Sequence, residues 1–157
     1  MIKDIQNSTD NSEYQPLYPT RILIAQTMYS VDILEERKDI EQISSDYIEY
    51  HVSKYSNQNL DKEFYCKLLN FIIDNLSSID DMIKLNLGEK WKLERLPKLV
   101  LAILRVGVGE ISIDKHLEIA TIINDYLQIT KSLNHFDELG FINGILDKIA
   151  NDIHSKK

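Results

Sequence analysis

The residues able to do chemistry are few and scattered. The chain has four histidines, His51, His116, His135 and His154, and none sits in a recognisable motif. Nucleophilic catalysis needs a Ser or Cys beside a histidine that a carboxylate orients, and no such grouping is legible. Cys66 is the only cysteine; it excludes an intramolecular disulfide framework and a multi-cysteine metal cage, and its place between Phe64 and Leu69 reads as a small core residue. The adjacent carboxylates Glu35-Glu36 and Asp80-Asp81 diverge on a helix and read as solvated surface. Gly107-Val108-Gly109 lacks the third glycine, the following Lys-Ser/Thr and the strand-turn-helix context of a phosphate loop. These observations point to no catalysis, cofactor or metal.

One pairing suggests binding. Arg21 and Tyr29, two turns apart on one helix, place a cation and a ring along one side, the combination used for unstacked RNA bases; a surface arginine with a half-buried tyrosine is the plainer reading. Lys131, His135 and Lys148 add cations toward the C-terminus.

The segment Pro97 to Ile111, PKLVLAILRVGVGEI, is the element that must position these groups. From Leu99 to Val108 its only charge is Arg105, so every face is apolar and the segment belongs inside. It is too short to span a bilayer, which takes about 20 apolar residues. Pro97, the length of the run and its Leu/Ala content favour helix over strand. Gly107 and Gly109 then imply close approach of a neighbouring helix, since each costs about 1 kcal/mol relative to Ala. Arg105, if buried, must have a carboxylate or carbonyl partner, and a structural ion pair is expected.

At 157 residues, with 43% hydrophobic and 27% charged residues, the composition fits one globular domain. The formal charge of −7 argues against coating nucleic acid through the overall field. It leaves room for a local basic patch or for a partner that supplies positive charge. No signal peptide or long apolar run is seen, which implies a cytoplasmic location.

Residues 1–18 read as a flexible polar arm and 19–157 as a single helical domain. Thr20 is a candidate N-cap for a helix reaching about Leu34. Helical spacing follows over Ile40 to Tyr55, over Leu60 to Leu76 and, capped by Ser77-Ser78, over Ile79 to Leu87, where Gly88 stops it. Trp91 reads as a lid on the core. Beyond the central run come Leu117 to Leu133 and Phe141 to Ile149; in the latter, helical spacing outweighs the hairpin that Asn143-Gly144 could form. The sum is an all-α bundle of about seven helices.

Three separated pieces, in order, resemble the transcription antitermination factor NusB family: TRILIAQTMYSVD, WKLERLPKLVLAILRVGVGEI and IINDYLQITKSLNHFDELGFINGILDKI. Phe141 to Lys148 is similar to its F-V-N-G-V-L-D-K, Ile123-Asn124-Asp125 to its I-N-E, Ala102 to Arg105 to a second signature, and Glu110 to the glutamate of its Y-E-L. The resemblance implies two packed helical subdomains without catalysis. It also implies binding of a boxA-type single-stranded leader RNA together with a small-subunit ribosomal protein, NusE, and, indirectly, action on RNA polymerase in ribosomal RNA operons. Carried over by position, the RNA-side residues are Arg21, Tyr29, Glu110 and Asp137, with Lys131 and Asn143 in support. Three departures from the family bear on affinity: the usual arginine-rich N-terminal segment is replaced by one whose only base before Arg21 is Lys3, Gly109 stands at the family tyrosine, and Gly140 stands where a basic residue is common before the Phe. They favour weak RNA binding by the chain alone and keep open an acidic adaptor or homodimer. An accessory domain of an RNA cytosine methyltransferase would require this chain to be a fragment.

Overall fold

The structure is a computed structural model that describes residues 17–34, 42, 45–46, 49, 60–113 and 118–155. Among these residues the regular elements are all helical: α1 (Tyr18–Leu34), α2 (Lys62–Asp74), α3 (Leu76–Leu85), α4 (Lys98–Ile113), α5 (Ile119–Ser132) and α6 (Leu139–Ser155), with 3-10 turns at Leu93–Arg95 and Phe136–Glu138. The seventh expected helix falls over Ile40 to Tyr55. Gln42, Ser45, Asp46 and Glu49 are helical and exposed there, and the Gln42 amide donates to Asp46 Oδ1 at 2.9 Å. The apolar positions of that segment, like the expected N-terminal arm up to residue 16, lie outside the described residues.

Helix α4 is the hub. Every residue from Val100 to Ile111 is buried, and α4 packs against each of the other five helices. Helices α1 and α2 pack on each other and on α4, as do α5 and α6. These two helical groups share the central helix, and α3 touches both through α2 and α6. A full burial of one Leu or Ile contributes about 1.5–3 kcal/mol, so a helix buried all round is held by hydrophobic packing on every side.

That packing explains the glycines. A Cβ on Gly107 would lie 2.9 Å from Leu146 Cδ2, and one on Gly109 would lie 2.6 Å from Ile72 Cγ1. Each side chain fills the space its glycine leaves, so α6 and α2 press close to α4.

Local signals set the helix ends, sometimes differently from expectation. Helix α1 starts two residues before Thr20, with Pro19 in its first turn where a missing N–H is harmless. Thr20 is therefore no cap; its hydroxyl accepts the Asp61 N–H at 3.0 Å and ties α1 to the start of α2. Asp61 is the N-cap of α2, accepting the Phe64 N–H at 2.9 Å. Ser77 and Ser78 lie inside α3, which starts directly after Asn75. Gly88 at φ +81° turns the chain after α3. Asn134 at φ 65° does the same after α5, in the region asparagine tolerates best after glycine. Helix α6 runs straight through Asn143-Gly144, as the spacing requires.

Candidate functional site

Two arginines anchor the interior, and they have different partners. Arg105 and Glu110 are five residues apart on α4, so they leave the helix in different directions. Arg105, 5% exposed, makes a two-pronged contact with Asp80 of α3, Nε to Oδ1 at 2.9 Å and Nη2 to Oδ2 at 3.0 Å. It also pairs with Asp32 of α1 at 3.6 Å, and Lys98 reaches Asp32 at 3.3 Å. The expected structural ion pair is present. Asp80 corrects the reading of its pair as solvated surface: only Asp81 is exposed, while Asp80 is committed to Arg105.

Arg21, from the first turns of α1, is 5% exposed and faces Glu110, which is completely buried. Nε donates to both Glu110 oxygens, at 2.8 and 3.1 Å, and Nη2 donates to Oε2. Nη1 donates to Asp125 of α5 at 2.6 Å. Tyr126, one residue on, donates its hydroxyl to Glu110 Oε1 at 2.6 Å. The four side chains thus clamp α1, α4 and α5 together, satisfying groups whose isolated burial would be prohibitive.

The electrostatics follow from that closure. Burial alone would lower the Arg21 pKa, but the hydrogen bonds and charge of Glu110, with help from Asp125, outweigh it and hold the guanidinium above its ordinary value. Burial pushes the Tyr126 phenol well above its usual value, and the charge of Glu110 and its hydrogen bond add to the shift. Both groups keep their protons throughout the physiological range.

Two of the expected RNA-side residues therefore lie inside the fold: Glu110 has no exposed area, and each Arg21 side-chain nitrogen donates to a carboxylate. The plainer reading of Arg21 as a surface arginine is corrected. The work of Arg21 and Glu110 is to brace the helices that carry the surface. Asp125 and Tyr126 complete the brace, and sequence reasoning did not place them there. Tyr126 falls on the apolar stripe of α5, so spacing marked it as core. The signal available was Glu110, a carboxylate at the end of a run whose only other charge past Lys98 is Arg105, which had to have partners.

The remaining expected residues are at the surface. Tyr29 on α1 is 37% exposed; Lys131 in the last turn of α5, Asp137 in the following 3-10 turn and Asn143 near the start of α6 are exposed. The last three share the junction from α5 to α6, where His135 Nδ1 lies 3.6 Å from Glu138. Cys66 is exposed rather than a core residue. Among the described residues no group of three or more His, Cys, Asp or Glu is placed to hold a metal ion, and no helix is long and apolar enough to cross a membrane.

The fold and site define a helical scaffold with an ionic interior brace and polar side chains displayed at helix junctions. A family model described as the NusB family matches residues 18–151. The transcription antitermination protein NusB of Borreliella afzelii is 32% identical over 141 residues, covering 88% of this chain and 100% of that protein. A solved structure of T. maritima NusB superposes with a TM-score of 0.75 at 29% identity, covering 88% of this chain and 92% of the other. The same fold, at a TM-score of 0.72 and 22% identity, occurs in a crystal structure of the antitermination factors NusB and NusE in complex with dsRNA, covering 86% of this chain and 96% of that one. The chain belongs to the NusB family.

Proposed function

We propose that this protein is a transcription antitermination factor of the cytoplasm that works without catalysis. It binds boxA-type single-stranded leader RNA together with the ribosomal protein NusE and so promotes read-through of ribosomal RNA operons by RNA polymerase. The family match over nearly the whole helical chain carries the reading. The RNA-facing groups are Tyr29, Lys131, Asp137 and Asn143, and Arg21 with Glu110 acts behind them by fixing α1 against α4 and α5. Supporting this assignment, all four are solvent-accessible, and an exposed ring and an exposed amine are the groups that an unpaired base and its phosphate require.

The test is fluorescence anisotropy of a boxA-type RNA and a scrambled control, titrated with the protein in the presence and absence of NusE. Binding that depends on sequence and is strengthened by NusE is the expected result. Partner binding with no RNA binding would instead establish the second reading, an acidic helical adaptor or homodimer, which the withdrawal of Arg21 into the interior favours.

A further inference from the structure

The connection from α3 to the 3-10 turn carries a feature that the function above does not use. Trp91, the only tryptophan in the sequence, is 53% exposed. It is more than a lid on the core. Its ring packs against Phe141 of α6 with centroids 5.6 Å apart and planes at 49°, and it lines a surface cleft of ≈ 240 Å³ with Lys84, Leu87, Lys92, Leu93 and Glu94.

The cleft has the elements of a base-binding platform. Leu87 and Leu93, both buried, form an apolar floor. The ring stands on a fixed segment: Gly88 makes the turn before it, and the N–H groups of Arg95 and Leu96 close the 3-10 turn after it on Lys92 and Leu93. Two ammonium groups and one carboxylate line the cleft, so it is locally positive on a chain of charge −7. An apolar peptide would use the floor but not the two lysines. A single-stranded polyanion uses both, a base on the indole and phosphates on the amines. Phe141, which backs the ring, lies in the first turn of α6, so the platform stands beside the junction of α5 and α6.

We propose that Trp91, with Lys84 and Lys92, forms a stacking subsite for an unpaired base of single-stranded RNA, extending the strand's path from the junction of α5 and α6 onto the loop after α3. The inference rests on the RNA-binding reading above.

Because Trp91 is unique, its emission reports on the site directly. The full chain, with NusE present, is titrated with unlabelled single-stranded RNA carrying a boxA-type element and unpaired flanks, and anisotropy of the labelled RNA is followed in parallel. Quenching of tryptophan emission with the midpoint of the anisotropy curve is expected, after correction for a NusE control. Trp91→Leu should weaken binding about 5- to 150-fold, the range for losing one stacked base, while Trp91→Phe retains most of it. The double variant Lys84→Gln/Lys92→Gln, at surface positions that leave the fold intact, should lower the log–log salt slope by about 1.4. Full RNA affinity with unchanged emission and an unaltered double variant would overturn the subsite and leave the RNA-binding reading standing. Emission that responds to NusE alone, and not to RNA, would assign the platform to protein and also overturn it. No RNA binding under any condition would overturn both.

Discussion

At the scale of single residues, the sharpest contrast is between two arginines that are equally buried but differently matched. Removing the Arg21 side chain leaves Glu110 fully enclosed with only the Tyr126 hydroxyl as donor. Breaking a buried pair from one side costs about 3–5 kcal/mol because the stranded charge remains, so Arg21→Ala should lower stability by that amount in denaturant unfolding. Arg105→Ala strands Asp80, whose side chain is 18% exposed and can recruit water, while Asp32 keeps its pairing with Lys98. Its cost should be smaller, about 1–3 kcal/mol. Equal losses, or a larger loss at Arg105, would show that the clamp on Glu110 is not the main ionic brace. Arg21→Lys should recover little, since an ammonium cannot donate to Glu110 and Asp125 through one rigid fork. Tyr126 adds a pH dependence. Its folded pKa is raised, while the unfolded phenol titrates near about 10. Below that value both states hold the proton and its contribution is constant; above it the unfolded state loses the proton first and the folded state is disfavoured. Unfolding followed from pH 9 to 11 should therefore show stability falling as pH rises, and Tyr126→Phe should make that fall shallower by up to one proton. An unchanged slope in the variant would mean that the phenol ionises freely in the fold.

At the scale of elements, α4 shows which features sequence carries and which it does not. Its burial, its helical form and the close approach at Gly107 and Gly109 were legible, because a run with a single charge in ten residues has no solvent face and two glycines in such a run need a steric reason. The partners were not legible, because pairing Arg105 with Asp80, or Arg21 with Glu110, requires knowing which helices become neighbours across 25 and 89 residues. The same gap explains Arg21. A cation and a ring eight residues apart look like one surface face, yet the first turns of α1 lie under α4 and α5 and the later turn at Tyr29 emerges. Cys66 and Asp80 missed in opposite directions for a related reason: single positions on an amphipathic helix are assigned by type, and the packing angle decides. The glycines supply a test at this scale. At Gly107 the nearest atom is the free end of Leu146, which can rotate, whereas at Gly109 it is Ile72 Cγ1, a branch-adjacent atom with little freedom. Gly→Ala in a helix gains about 1 kcal/mol in propensity, against overpacking of about 1–3 kcal/mol. Gly107→Ala should therefore be near neutral and Gly109→Ala destabilising by about 1–2 kcal/mol, both read from urea unfolding. A stabilised Gly109→Ala would mean that α2 can withdraw from α4.

At the scale of the whole molecule, the balance of charge decides where RNA affinity comes from. The chain carries 18 basic and 25 acidic residues, and its two buried arginines are held by carboxylates. What remains for phosphate among the described residues is a set of dispersed exposed lysines with Arg95, in a field that is repulsive overall. Each phosphate neutralised on a single strand contributes about 0.7 to the slope of log affinity against log salt, so the slope counts the cations engaged. The chain alone should bind boxA-type RNA weakly and with a shallow slope, near that of two or three contacts. With NusE present, both affinity and slope should rise together, because the added phosphate contacts come from the partner. The two quantities separate the alternatives. If affinity rises while the slope stays fixed, NusE acts by ordering the surface that this chain already presents, and Tyr29 with the α5 to α6 junction carries the gain. If the slope is already steep without NusE, the lysines of this chain, including those beside Trp91, form a stronger patch than its net charge implies.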